Sequence, residues 1–137
     1  MNKKQIFNKL ITDMSVHAQN DYPLECCGII TTDFKYIPAK NISPLPKDSF
    51  ILDPVTLLEH EDDTFGVFHS HPGDENPLPS EDDIAHTVFE AFRFIVGFAD
   101  KFFIYWYDTK LEILRYEPFE EQHLDHSPLP QSNKKVY

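Results

Sequence analysis

Two histidines one residue apart, His69 and His71, close an apolar run that begins at Phe65, and Pro72 follows them directly. In a strand, residues two apart project to the same face, so a strand's end can present both imidazoles together. A loop over 72–79 with three prolines leads to Ser80-Glu-Asp-Asp83, a helix-capping residue with a carboxylate three positions later. A helix that starts there can bring Asp83 back to the histidines in its first turn. Two His and one Asp leave a fourth tetrahedral position for water, the donor set of catalytic zinc; structural zinc recruits four protein ligands. A His-x-His pair alone more often means two strand-end histidines. The composite with Pro72, the loop and Ser-x-x-Asp carries the zinc reading.

The elements that must position these residues follow from periodicity. Ile6, Phe7, Leu10, Ile11, Met14 and Ala18 recur at three- and four-residue spacings, which predicts an amphipathic helix over 3–19 ending at Asn20-Asp21-Tyr22-Pro23. Strands are expected over 26–32, 34–38, 50–52 and 65–69, with a polar loop over 41–48. Asp53 as N-cap and Pro54 at the first helical position predict a short helix over 54–60. The helix from Ser80 should run to about Phe92. Three further strands, over 94–99, 102–107 and 111–116, read as a meander. Beyond Pro118 the chain turns acidic, then proline- and serine-containing, then basic, and an extended or disordered arm over 119–137 is expected after a single domain over 1–118.

Composition bounds the partners. The 137 residues leave room for one core, and 12 Phe supply it. With 12 Lys and Arg against 23 Asp and Glu, the formal net charge is −11, which argues against nucleic-acid partners and against anionic lipid. No run approaches the length of a membrane span, and the lysine-bearing N-terminus has no signal-type apolar region. A reducing cytoplasm is therefore the expected setting, without membrane insertion. Cys26 and Cys27 are adjacent, a spacing that strains a mutual bridge, and read as small buried hydrophobes. Read alone, Glu25 is a strand-start carboxylate and Ser80 an N-cap.

Taken together, Glu25-Cys-Cys-Gly28, His69-Ser-His71-Pro72 and Ser80-Glu-Asp-Asp83 resemble the JAMM (JAB/MPN-type) metallopeptidases, with matching element order over roughly 3–117. The resemblance implies an α+β, cytidine-deaminase-like JAB/MPN fold, a central mixed or antiparallel sheet flanked by helices. It implies a single zinc held by His69, His71 and Asp83, and Glu25 as the general base that passes a proton from water to the leaving amine. Ser80 would donate to the oxyanion, and the bond cut would be a peptide or isopeptide bond in a protein or peptide substrate. The family usually has seven residues between the second His and the Ser, whereas this chain has eight, 72–79. That extra residue could displace Ser80 or Asp83, and it makes Asp82 the rival ligand. Pro23 to Ile30, Tyr36 to Asn41 and Phe50 to Pro54 are most similar to the branch found in phage tail assembly, which implies other tail proteins as partners. It also implies a place in the host cytoplasm or the virion tail. A bacterial deconjugase of ubiquitin-like proteins and a non-catalytic MPN-type structural subunit remain the alternatives.

Overall fold

The computed structural model describes residues 1–87 and 93–125, the side chains of 86 and 87 excepted. Helix α1 (Lys3–Asp21) opens on a reciprocal cap, in which the Asn2 carboxamide accepts from the Gln5 amide at 2.8 Å and Gln5 Oε1 from the Asn2 amide at 2.9 Å. Leu10, Met14 and Ala18, four residues apart, are buried and lay one face of α1 on the sheet. The Tyr22–Pro23 bond that follows is cis.

The sheet is built from β1 (Cys27–Thr31), β2 (Tyr36–Ala39), β3 (Thr64–Ser70), β4 (Arg93–Phe98), β5 (Lys101–Asp108) and β6 (Ile113–Pro118). Their order is β2-β1-β3-β4-β5-β6. Neighbours are antiparallel except β3 and β4, which run parallel, so the sheet is mixed. Helix α2 (Pro54–Glu59) precedes β3, and α3 (Glu81–Thr87) lies within the crossover that a parallel pair requires. Side-chain alternation divides the sheet into two faces. On one, Ile30, Phe68, Ile95, Phe102 and Ile104 meet Leu10, Met14 and Ala18 of α1. On the other, Val67, Phe94, Val96 and Tyr105 pack with Phe50, Leu52, Phe103 and Leu114. This α+β architecture is the one expected. Among the described residues no helix is long and apolar enough to cross a membrane.

Four local expectations change. The strand expected from Phe34 starts at Tyr36, because Phe34 sits at φ 64° in a turn where its amide donates to Thr31 O at 2.8 Å. The strand expected over 50–52 reduces to one bridge between Asn41 and Leu52, since the Ile51 amide donates to the Asn41 side chain. The last strand begins at Ile113, because Asp108 Oδ1 gathers the amides of Lys110 and Leu111 into a turn and Glu112 adopts φ 54°. The arm expected from 119 is packed as far as 125. Phe119 and Leu124 are buried in the core on the α1 side around a 3₁₀ turn, Glu121–His123, with the Phe119 ring 5.1 Å from that of Phe7. The remainder of that arm, 126–137, and the expected helix end at 88–92 lie outside the described residues.

Candidate metal centre

Register determines which side chains meet. Cys27 of β1 pairs with His69 of β3, and the Ser70 amide extends the ladder by donating to Cys26 O at 3.0 Å. Two residues further out along each strand lie Glu25 and His71, and the same alternation gives all three polar side chains one face. On the opposite face, Ser70 Oγ accepts from the Cys26 amide at 2.9 Å. The His71 amide donates to Gly97 O of β4 at 3.1 Å, so the strand end is tied on both sides.

Glu25, His69 and His71 each offer a donor atom within 4.8 Å of the others. His69 is fully buried; Phe50 stacks on it with ring centroids 4.4 Å apart, and its Nε2 lies 2.8 Å from the Tyr105 hydroxyl. Its Nδ1 is buried, has no hydrogen-bond partner among the described residues, and lies 3.7 Å from Glu25 Oε1. The Glu25 main chain is clamped, its amide donating to Pro46 O at 2.7 Å and its carbonyl accepting from Asn41 Nδ2 at 2.9 Å.

Asp83 stands beside this group. Its Oδ2 is 3.1 Å from His71 Nε2 and 3.7 Å from His69 Nε2, and it accepts from the Ser80 amide at 2.8 Å. The Asp83 amide donates back to Ser80 Oγ at 3.2 Å, a reciprocal helix cap that holds the carboxylate in place. The eight-residue loop therefore brings back Asp83, which is buried, while Asp82 is exposed. Gly73 absorbs part of the turn at φ 76°. Burial pushes the Asp83 carboxyl up, but the charge of His69, the His71 hydrogen bond and the Ser80 amide outweigh it and bring it to about 2. Burial likewise acts to lower His71, and the Asp83 hydrogen bond with the charges of Asp83, Glu25 and Asp74 raises it instead.

A cleft of about 400 Å³ opens over these residues, lined by Glu25, Lys47, Asp48, His71, Pro72, Asp74, Leu78 and Ser80. Cys26 and Cys27 take no part; both are fully buried, and burial first of all pushes their thiols up to about 12. His17 and His60 engage Tyr36 and Asp63 away from the cleft. Tyr105, Phe50, Asn41 and Lys47 were not legible as site residues.

The donor chemistry suits zinc: Glu25, His69 and His71 offer ligand atoms within 4.8 Å of one another, Asp83 adjoins Nε2 of both imidazoles, and among the described residues nothing hydrogen-bonds the buried Nδ1 of His69. His69 and His71 with either Asp83 or Glu25 could hold the ion, leaving the other carboxylate to handle protons.

Over 82 residues the chain is 37% identical to the tail tip assembly protein K of Escherichia phage N15, a match that takes in 56% of this chain and 33% of that protein. It thus spans about a third of the length of that relative. The solution structure of a Desulfitobacterium hafniense protein superposes with a TM-score of 0.61 at 22% identity, over 87% of this chain and 96% of the other, a likeness of fold. The family model for prokaryotic homologs of the JAB domain matches residues 7–110, which include Glu25, His69, His71, Ser80 and Asp83. Matched over most of its length, the chain belongs to that family, the prokaryotic homologs of the JAB domain.

Proposed function

We propose that this chain is a zinc-dependent peptidase or isopeptidase of the JAMM type that acts on a protein or peptide substrate within phage tail assembly. The observation that carries the reading is the convergence of Glu25, His71 and Asp83 on His69, whose buried Nδ1 has no hydrogen-bond partner among the described residues. His69, His71 and Asp83 would hold the ion. Zinc, when bound, supplies a Lewis acid that lowers the pKa of water toward about 7 and offsets charge building on a carbonyl oxygen.

The remaining steps belong to side chains of this chain. Glu25, with its main chain clamped at both the amide and the carbonyl, takes a proton from the attacking water and delivers it to the leaving amine. Ser80 lines the cleft, and its hydroxyl accepts from the Asp83 amide, which leaves its own proton for the oxyanion. Loss of such a donor lowers kcat by about 10²- to 10³-fold. Similarity to a tail tip assembly protein supports tail proteins as partners, and a place in the host cell or the virion tail.

The test is metal analysis of the purified chain, followed by proteomic detection of cleavage among co-expressed tail proteins and ubiquitin-like fusions. About one zinc per chain is expected. Glu25→Gln should keep that zinc and lose cleavage. A wild type that binds no zinc refutes the reading. Cleavage confined to ubiquitin-like fusions would make the chain a deconjugase, and zinc without any cleavage a structural subunit.

A further inference from the structure

β6 closes one side of the sheet, and among the described residues no strand pairs with its outer edge. The Phe119 amide donates to Phe102 O at 2.9 Å, so position 119 turns its backbone groups toward β5. These groups alternate along a strand, so Ile113, Arg115 and Glu117 do the same, while Leu114, Tyr116 and Pro118 point theirs outward. The outer edge thus offers the N–H and C=O of Leu114 and Tyr116 and the C=O of Pro118, which has no N–H to leave bare. Sheet edges are ordinarily blunted by lysines, bulges or a covering loop. This strand has no lysine, its register against β5 is unbroken, and Ile113 and Tyr116 are 49% and 54% exposed.

We propose that this edge pairs with the same edge of a second copy of the chain, antiparallel about a two-fold axis at Tyr116. Residues opposite each other in an antiparallel pair must both turn their backbone groups toward the partner or both away, so the axis passes through one residue and its own copy. Arg115 or Glu117 on the axis would set like charges opposite each other. Pro118 there has no amide to donate, and Leu114 there sets Arg115 against Ile113. With Tyr116 on the axis, the two Tyr116 residues exchange both backbone hydrogen bonds, and Arg115 of each copy faces Glu117 of the other. Both charged side chains are about half exposed despite their contacts within the chain, Arg115 with Asp108 and Glu117 with His123. Tyr116 lies opposite Tyr105, whose hydroxyl is 2.8 Å from His69 Nε2, so the dimer carries both metal centres on one face of a continuous sheet. Strand pairing alone buries less than a standard interface, and the association is therefore weak and concentration-dependent.

The experiment is sedimentation equilibrium of the full chain in about 0.15 M salt, where repulsion between the two acidic molecules is screened beyond about 8 Å. The molar mass should climb toward twice that of the monomer as concentration approaches about 1 mM. Arg115→Glu and Glu117→Arg should each weaken self-association by about 10-fold, because two attractive pairs become repulsive. An equimolar mixture of these two variants should associate as the wild type does, since opposite charges again face each other at both positions. A wild type that stays monomeric at about 1 mM, as an edge kept for an extended segment of another protein would, overturns the proposal. So does a mixture no more associated than its components. Should either variant fail to fold, amide exchange of the wild type decides: Leu114 and Tyr116 should exchange more slowly as concentration rises, and unchanged rates overturn the pairing.

Discussion

Asn41 makes four hydrogen bonds with one side chain, and replacing it by alanine removes all of them. Its Nδ2 donates to Glu25 O at 2.9 Å and Ser49 O at 3.1 Å, and its Oδ1 accepts from the Ser43 and Ile51 amides, each at 3.0 Å. A net hydrogen bond is worth about 1 kcal/mol, and a buried partner left bare costs about 1–3 kcal/mol. Asn41 is half-buried, so water recovers part of the loss, and Asn41→Ala should destabilise the chain by about 2–3 kcal/mol. For a domain of this size that is a fall in Tm of about 6–12 °C. The loss is also local. The Ser43 and Ile51 amides should exchange faster with deuterium, while Ser70 and His71, held by Cys26 O and Gly97 O, should not. Because His69, His71 and Asp83 are untouched, zinc uptake should persist while hydrolysis falls with the loosened Glu25. A fall in Tm under about 2 °C, or unchanged exchange at Ser43 and Ile51, would refute the clamp.

Ending the chain after Pro118 removes Phe119 and Leu124 from the core and should cost at least the about 3–5 kcal/mol of a buried Phe→Ala change. Urea denaturation reads it, and a midpoint equal to that of the full chain would contradict the packing. Asp108 supplies the other measurable effect. Burial acts to raise its carboxyl, but the Leu111 amide, Arg115 and the Lys110 amide outweigh that and hold it below the ordinary range. A depressed folded value stabilises above the unfolded pKa of about 3.9 and loses that stabilisation as pH falls through the folded one. Asp108→Asn should therefore melt below wild type at neutral pH, with a gap that narrows below about pH 4; a gap independent of pH would refute the assignment.

How far the sequence disclosed this molecule depended on range. Patterns confined to one element were readable: the four-residue rhythm of Leu10, Met14 and Ala18, the Asp53–Pro54 helix start, and the Ser80–Asp83 cap, which the structure has in both directions. Where a side chain competes with the backbone ladder, the reading missed. Asn41 takes the Ile51 amide that a strand would have used, and Asp108 bends the chain at the point where a strand was expected to begin. Phe119 and Leu124 bury themselves against α1, far away in the sequence, so their acidic surroundings suggested an arm. The same holds at the site. His69 and His71 share a strand and were visible as a pair, but Tyr105 reaches His69 only through the order β3-β4-β5, which composition and spacing do not encode.

That order also explains why two carboxylates can reach one histidine pair from opposite directions. β1 lies antiparallel to β3, so its beginning adjoins the end of β3, and Glu25, just before β1, arrives beside His71. β4 lies parallel to β3, so the chain must leave the end of β3 in a crossover, and α3, within that crossover, starts over the same edge with Asp83 in its first turn. Both carboxylates are thus delivered by strand direction, and the histidines need only occupy the last turnout of β3. The arrangement is sensitive to register. Across the eight-residue loop, with Gly73 at φ 76°, Asp83 Oδ2 comes within 3.1 Å of His71 Nε2. A one-residue slip of β1 against β3 would move Glu25 to the α1 face, away from His69 and His71 and among Leu10, Met14 and Phe68. The Cys27–His69 pairing, held by the Ser70 hydrogen bonds to Cys26 on the opposite side, is therefore the part of the fold on which Glu25 depends.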